Sequence, residues 1–490
     1  MIDRQNYHQS FAKCSMRGAA KRLLALASVA LSCSMLGHAN AHAGEERPNV
    51  LFVVVDDLNV DLACYGHEIV QTPNLDRLRE RSMVFERAYS QYPLCNPSRN
   101  SFLTGLYPGT SGNLDNGQNI REVLPEVVTL PEMFKQNGYR SITTGKVFHQ
   151  KDPRSWTHIS NMQTGGLLPT DEEPEFYHDN HWGQEGRTRG EGRLLADETV
   201  RWFEWRSVTE GEEFLKDGQA ARATIKRIDE VVADEVPFFM AVGFARPHDP
   251  FFAPKRFFDM YPLESLELPT TPEDASEVPL YAYYDVFKRA FDTMDETAKL
   301  EAMRSYYAGI SYMDEQLGVV LDYMEQAGLM DSTIVVFMSD HGYQVGEKGY
   351  WNKAILFERS CQAPLLIALP EMKHAGAASS SLVELIDVYP TLAELCGLEA
   401  PENLDGKSLV PLLQNPDASH RDYSYAYVNA DRSVRDERYR YVVWSGGSSA
   451  LYDHAHDAGE HYNLVKNPEY AAVVKRMQGL IDQMPEPVRK

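Results

Sequence analysis

The residues of this 490-residue chain that carry chemistry gather at a few points. "NVLFVVVDD" (Asn49–Asp57) is an apolar run ending in two aspartates, Asp56 and Asp57. "SITTGKVFH" (Ser141–His149) brings Lys146 and His149 to its end. "PFFMAVGFARPH" (Pro237–His248) ends in His248, and "STIVVFMSDHG" (Ser332–Gly342) ends in Asp340 and His341. A fifth stretch, "PLCNPSRNSFLTG" (Pro93–Gly105), sets Cys95 two residues before Pro97 and four before Arg99. Proline suits the first turn of a helix, where its missing N–H removes no bond. Cys95 then sits at or near a helix N-terminus, whose unpaired amides and partial positive charge favour an oxyanion. Arg99, one turn on, is placed to reach back to the same end. A thiolate nucleophile suits such a position. The plain competing reading is a small buried hydrophobe, the usual fate of a free cysteine.

These residues need elements to hold them. The four apolar runs are continuous rather than alternating, as expected of central, largely parallel strands covered by helices on both faces. Amphipathic segments lie between them, such as Ser311–Leu329, which has helical spacing and ends at Gly328. The pattern predicts an α/β fold, a large mostly parallel mixed sheet sandwiched by helices. Ligands of open α/β sheets bind beyond the carboxyl ends of the strands. A single polar residue after a strand means little, because loops are wet. Four chemically apt strand ends together predict one site.

Residues 151–195 and 262–300 read as irregular insertions of the kind that wall a pocket. In the first, His178, His181 and Trp182 are weak candidates for that wall. A boundary falls near "LLQNPDAS" (Leu412–Ser419). Beyond it, "YRYVVW" (Tyr439–Trp444), "SALYD" (Ser449–Asp453) and a last helix from Pro468 to Gln483 predict a small antiparallel sheet with a helix. The domain reading is a leader over 1–43, a catalytic domain over 44–415 and a C-terminal α+β subdomain over 416–490.

The leader rests on Lys21 and Arg22 before an apolar run, Leu23 to Leu36, too short to span a membrane, followed by Ala41-His42-Ala43. An N-terminal anchor is the competing reading. No later stretch has the length and apolarity of a membrane helix. The formal charge is −23; removing residues 1–43 takes away five cations and one acid and leaves −27. Bulk charge of that sign excludes nucleic acid and anionic membranes as partners. An anionic substrate must be held by a few cations aimed into one pocket. Four cysteines, Cys64, Cys95, Cys361 and Cys396, remain after the leader, too few for a disulfide framework in a chain this long. One disulfide among Cys64, Cys361 and Cys396 stays open.

The motifs carry a resemblance. Cys-x-Pro-Ser-Arg followed by "LTG" resembles the sulfatase signature, in which the cysteine is oxidised to formylglycine. "NVLFVVVDDL", "CYGHEIVQTPNLDRL", "NGYRSITTGKVFH", "RPHDPF", "FMSDHGYQVGEKGYWNK", "ELIDVYPTLAELCGL" and the terminal "LYDHAHDAGEHYNL" follow in the order that family has them, over nearly the whole mature chain. "GKVFH", "RPHDPF" and Asp-His after the fourth strand point to an iduronate-2-sulfatase-like branch of this alkaline-phosphatase-like superfamily.

The resemblance implies a role for each residue. Cys95, as hydrated formylglycine, attacks sulfur and then releases sulfate by re-forming the aldehyde, which divides one difficult displacement into two steps. Asp56, Asp57, Asp340 and His341, with an oxygen of residue 95, hold a divalent cation. Three carboxylates favour a hard ion, and the resemblance favours Ca²⁺ over Mg²⁺, although imidazole is not a preferred calcium ligand. Lys146 and Lys353 bind the sulfate and Arg99 steadies residue 95. His149 assists sulfate elimination and His248 protonates the leaving alcohol, tasks that imidazole suits. Implied partners are a sulfated, uronate-containing or related acidic glycan and a formylglycine-generating maturation enzyme; the short leader and the acidic charge suit the bacterial periplasm or the medium. Arg432, Arg435 and Arg438 are either a second anion subsite or a solvated charged edge strand. His67 and Glu347 receive no role. Two competing functions are a phosphoester or phosphonate hydrolase of the same superfamily and a non-catalytic binder of sulfated glycan.

Overall fold

The structure, a computed structural model, describes residues 47–161, 166–167, 183–197 and 200–486. The leader and the trio His178, His181 and Trp182 lie outside the described residues. Nine strands form the main sheet: Asn49–Val55 (β1), Ser82–Tyr89 (β2), Arg140–Gly145 (β3), His158–Asn161 (β4), Gly166–Leu167 (β5), Phe238–Phe244 (β6), Thr333–Ser339 (β7), Leu365–Ala368 (β8) and Ala378–Glu384 (β9). Their spatial order is β9-β2-β8-β7-β1-β6-β3-β4-β5. The run β7, β1, β6, β3, β4 is parallel throughout. β8 runs antiparallel between β7 and β2, and β9 is parallel to β2. The four apolar runs of the sequence are thus β1, β3, β6 and β7, adjacent and pointing the same way.

Two helix layers explain why β1 carries apolar side chains on both faces from Val50 to Val55. Four helices matter here: Cys95–Thr104 (α1), Lys216–Val232 (α2), Glu296–Gln326 (α3) and Ala471–Ile481 (α4). Leu51, Val53 and Val55 share a core with Ile228 of α2 and Tyr306, Ile310, Met313 and Leu317 of α3. The alternate residues Val50, Phe52 and Val54 share another with Phe102 and Leu103 of α1. The Phe52 ring lies 6.2 Å from Phe102 and 5.7 Å from Phe239, centre to centre. Full burial of such a side chain contributes about 1.5–3 kcal/mol. α3 begins at Glu296, well before Ser311, so the second insertion is shorter than its composition indicates. The Asp295 side chain caps that start by accepting from the Ala298 N–H.

The C-terminal sheet has four antiparallel strands in sequence order: Tyr423–Val428 (β10), Asp431–Asp436 (β11), Tyr439–Val443 (β12) and Ser449–Asp453 (β13). Met477 and Ile481 of α4 belong to the core beneath it. The two later strands and the helix match the sequence reading; β10 and β11 were not foreseen. β11 corrects the charged-edge reading of "DRSVRD", because it is an interior strand. Arg435 is buried and its Nε faces Glu358 Oε2 at 3.4 Å. Arg438 pairs with Asp453 at 2.6 Å, and Arg432 lies over the Tyr427 ring. Ion pairs within the protein let this charged strand pack inside a sheet. Cys64, Cys95, Cys361 and Cys396 are all free thiols, so no disulfide joins the three open candidates.

Candidate active site

All four predicted strand ends meet. Backbone bonds stitch them together just past the sheet: Asp56 N–H donates to Phe244 O (3.0 Å), Asp340 N–H to Val55 O (3.1 Å), and Lys146 N–H to Gly243 O (3.1 Å). Gly243 and Gly145 make this approach feasible. A Cβ on Gly145 would lie 1.9 Å from Gly243 O, and Gly145 holds φ +68°, so no side chain fits there. Asp57 has φ 66°, uncommon for a residue other than glycine. Its turn is held by Asp57 N–H to Asp340 Oδ1 (3.1 Å) and by the Tyr306 hydroxyl, which donates to Asp57 O at 2.6 Å and accepts from Asn59 N–H at 2.9 Å.

Helix α1 starts at Cys95, as Pro97 indicates, and every one of its residues is buried. Cys95 Sγ lies 3.9 Å from Asp57 Oδ1 and 3.2 Å from Lys353 Nζ. Burial, reinforced by Asp56, pushes the Cys95 thiol far above its ordinary range. Arg99 is fully buried and forks between two carboxylates, Nη2 to Asp56 Oδ1 and Nε to Asp340 Oδ2, both at 2.9 Å. Its Nη1 donates to the carbonyls of Lys146 and Val147. Ser98, also on α1, donates to Asp340 O.

Lys146 pairs with Asp56 Oδ2 and Lys353 with Asp57 Oδ1. Burial opposes the charge on both lysines, but Asp56 and Asp57 outweigh it and raise each above the usual lysine range. Burial also works against Asp56, yet Lys146 and Arg99 hold it well below the carboxylate range. Asp57 goes the other way: burial, aided by the Asp56 charge, pushes it up to about 6 against the pull of Lys353. Two adjacent aspartates thus differ because one has two cations and the other has one.

His341 is fully buried. Its Nδ1 faces Gly342 O at 2.8 Å, which leaves Nε2 turned inward, 3.5 Å from Asp57 Oδ1 and 3.6 Å from Asp340 Oδ1. Neither His341 Nε2 nor Asp57 Oδ2 has a hydrogen-bond partner, although both are buried. Orphaned acceptors of this kind are rare and call for an occupant. Oxygens of Asp56, Asp57 and Asp340 lie within 4.8 Å of one another, as do ligand atoms of Asp57, Cys95 and His341. A ring nitrogen anchored on its far side is the usual posture of a metal-binding histidine. The donor set fits a divalent cation.

His248 Nε2 faces the same centre, 4.0 Å from Asp56 Oδ2 and 3.9 Å from Asp57 Oδ2; burial and then Lys353 depress its basicity. His149 stands at the margin. Its buried Nδ1 has no partner, and burial and Lys146 bring it down to about 3. Asp56, Asp57, Cys95, Arg99, Lys146, His248, Asp340, His341 and Lys353 therefore meet at this centre with His149 beside it, whereas Arg432 and Arg435 lie on β11 and Arg438 in the turn after it. His67 and Glu347 are not at the centre either: they face Asp61 and Arg359. The sequence reading missed Ser98, Tyr306, Asp249, Asn352 and Ser339, whose hydroxyl accepts from Leu58 N–H and donates to His341 O. Ser98, Asp249, Ser339 and Asn352 lie inside quoted motifs, but Tyr306 sits mid-helix, where only folding shows that it reaches Asp57.

The sequence pattern of the family described as "Sulfatase" matches residues 48–398, and that of "N-sulphoglucosamine sulphohydrolase, C-terminal" matches residues 346–486. The chain belongs to the sulfatase family. It is a sulfuric ester hydrolase. A sulfatase of Formosa agariphila is 32% identical over 464 residues, which cover 92% of this chain and 89% of the relative. The iduronate 2-sulfatase of Homo sapiens is 30% identical over 528 residues, covering 91% and 94%. Among solved structures, BT4656 in complex with its substrate D-glucosamine-2-N,6-O-disulfate superposes with TM-score 0.70 at 21% identity, covering 89% of this chain and 97% of that one. Phosphonate monoester hydrolase SpPMH from Silicibacter pomeroyi gives TM-score 0.74 at 21% identity, covering 90% and 97%. The fold is that of these enzymes.

Proposed function

We propose that the protein is an exported sulfatase of acidic glycans, iduronate-2-sulfatase-like, that works through formylglycine at position 95 and a Ca²⁺ held by Asp56, Asp57, Asp340 and His341. The observation that carries this reading is the pair of orphaned, inward-facing acceptors, Asp57 Oδ2 and His341 Nε2, beside Cys95 at the start of α1. The division into a leader (1–43), a catalytic domain (44–415) and a C-terminal subdomain (416–490) belongs to the same proposal. So does the periplasmic or secreted location. No helix among the described residues is long and apolar enough to cross a membrane.

When bound, the cation would lower the basicity of an oxygen on residue 95 and polarise sulfate oxygens, and hydrated formylglycine would supply the nucleophilic oxygen and the second hydroxyl that allows release. The chain's own groups do the rest. Three carboxylates, Asp56, Asp57 and Asp340, stand against three permanent cations, Arg99, Lys146 and Lys353. The site is near neutral by itself, so a dication leaves it net positive for an anionic ester. Lys146 and Lys353 present ammonium groups held in place by Asp56 and Asp57, and pre-placed charge of this kind stabilises a transition state. Arg99 fixes two of the carboxylates and, by lying on α1, the depth of residue 95. His248 Nε2 is the proton donor for the leaving alcohol, and His149 receives a proton during sulfate release.

Peptide mass spectrometry of protein from its native host tests the reading. Replacing CH₂SH by CHO lowers the mass of the Cys95 peptide by about 18 Da. Fully active protein that retains a thiol there refutes it. Parallel kinetics on 4-nitrophenyl sulfate and 4-nitrophenyl phosphate separate it from a phosphoester hydrolase; a dominant phosphatase rate surviving Cys95→Ala favours that rival. Tight binding of sulfated glycan without sulfate release by converted protein favours a binder.

A further inference from the structure

His248 and Lys353 approach the centre from different loops, one after β6 and the other after the short strand Trp351–Asn352. A third side chain joins the two loops. Asp249 is 8% exposed. Its Oδ1 lies 3.4 Å from His248 Nδ1, and its backbone carbonyl pairs with that same nitrogen. Its Oδ2 accepts from Asn352 Nδ2 at 3.1 Å. Asn352 immediately precedes Lys353, is buried, and holds φ 87°, where residues other than glycine are uncommon. The other side of the His248 loop is clamped as well. Arg246 donates to His248 O at 3.0 Å, and both oxygens of Glu185 hold its Nη2 at 2.8 Å.

A buried carboxylate is costly unless paired, and a left-handed asparagine adds backbone strain. Both are kept here, between the two groups that must face opposite ends of one sulfate ester. We propose that Asp249 is a positioning residue: through Oδ1 to His248 and Oδ2 to Asn352 it fixes His248 Nε2 relative to the Lys353 ammonium, so that the proton reaches the leaving oxygen while the sulfate is held. This rests on His248 being the leaving-group acid. In that step an oxygen on residue 95 would bond to sulfur as the bond from sulfur to the ester oxygen breaks; the electron pair stays on the ester oxygen, which takes the Nε2 proton of the cationic His248 ring, and the ring is left neutral with its Nδ1–H on the Asp249 carbonyl.

The consequence is a dependence on leaving group that a merely structural role would not produce. Nitrophenolate leaves with little help, whereas phenolate and methoxyphenolate need the proton more. The experiment measures kcat/KM for 4-nitrophenyl, phenyl and 4-methoxyphenyl sulfates with wild type, Asp249→Ala, Asp249→Asn, His248→Ala and the His248→Ala/Asp249→Ala double variant. Each preparation is first shown by mass to be converted at residue 95. Asp249→Ala is expected to lose about 10- to 100-fold on the poor leaving groups, the usual effect of removing a supporting group behind a functional side chain, and only a few-fold on 4-nitrophenyl sulfate. Asp249→Asn falls between. His248→Ala steepens the same dependence, and adding Asp249→Ala to it changes the slope no further. Should Asp249→Ala not fold, Asp249→Asn and Asn352→Gly carry the test; glycine accepts the left-handed backbone while removing the amide, and a steeper slope is expected there too. Equal losses across the series, or additive slopes in the double variant, overturn the proposal. If His248→Ala itself leaves the slope unchanged, the acid assignment fails and the proposal falls with it. A steeper slope in His248→Ala but not in the Asp249 variants sinks the proposal alone.

Discussion

Arg99→Met removes the fork between Asp56 and Asp340 while keeping most of the side-chain volume. Arg99 is fully buried, with both carboxylates at 2.9 Å. Breaking a buried pair by removing one partner costs about 3–5 kcal/mol, because the remaining charge is left uncompensated. Unfolding entropy near 2.1 cal/mol/K per residue, over about 440 residues, gives roughly 0.9 kcal/mol/K. The Tm of the metal-free variant should therefore fall by about 3–5 °C. Saturating Ca²⁺ should return much of that loss, since a dication on the same carboxylates replaces the missing charge. For wild type, Ca²⁺ at 100 times its Kd adds about 2.7 kcal/mol, or roughly 3 °C by the same entropy. The calcium-induced shift should be larger in Arg99→Met. The assay is thermal unfolding of both proteins in EGTA and in Ca²⁺. An equal loss of Tm in the two conditions would refute the reasoning, because Arg99 and the cation would then not share Asp56 and Asp340. Arg99→Lys, lacking the fork, should sit between wild type and methionine.

Cys95→Ala should abolish the mass loss of about 18 Da at that peptide and leave at most about one-thousandth of the sulfatase rate, while Tm changes little because only one buried sulfur is removed; rate assays and unfolding curves check both. His341→Ala should weaken Ca²⁺ about tenfold or more, read by titration calorimetry, since it removes the inward Nε2 that Gly342 O orients. Acid stability should carry the mark of Asp387, buried against Arg421 at 2.9 Å. Burial opposes its charge, but Arg421 and His420 bring it down to about 2, against 3.8 unfolded. A depressed carboxylate contributes stability that is complete above the unfolded value and lost as pH falls through the folded one. Urea unfolding of wild type between pH 4 and pH 2 should lose about 2 kcal/mol from this group, and Asp387→Asn should lack that part of the slope. Glu384, whose carboxyl burial, aided by Asp387, pushes up against the pull of Arg421, slopes the opposite way above its unfolded value and so lies largely outside this pH window.

Much of this site was legible without coordinates. β1, β6 and β7 appear in the sequence as largely apolar runs because both their faces are covered, β3 is shorter and carries buried Ser and Thr, and the charged residues that follow all four arrive at one edge. Pro97 marked the start of α1 and so the placement of Cys95. Other features were hidden for physical reasons. α3 begins at Glu296 because Asp295 caps it, a signal lost in an acidic stretch. β11 carries alternating charges that look solvated until Glu358, distant in sequence, is seen to neutralise Arg435.

By itself the sequence determined which residue types follow the strands at one edge of the sheet, and it did so through periodicity and strand direction, which are local. Tertiary structure alone decided how those groups share charge. Asp56 and Asp57 are neighbours of identical chemistry, yet Arg99 and Lys146 hold one low while burial lifts the other to about 6. That difference depends on the distances between strand-end loops and helix α1, and electrostatic energy depends on distance and burial rather than on position along the chain.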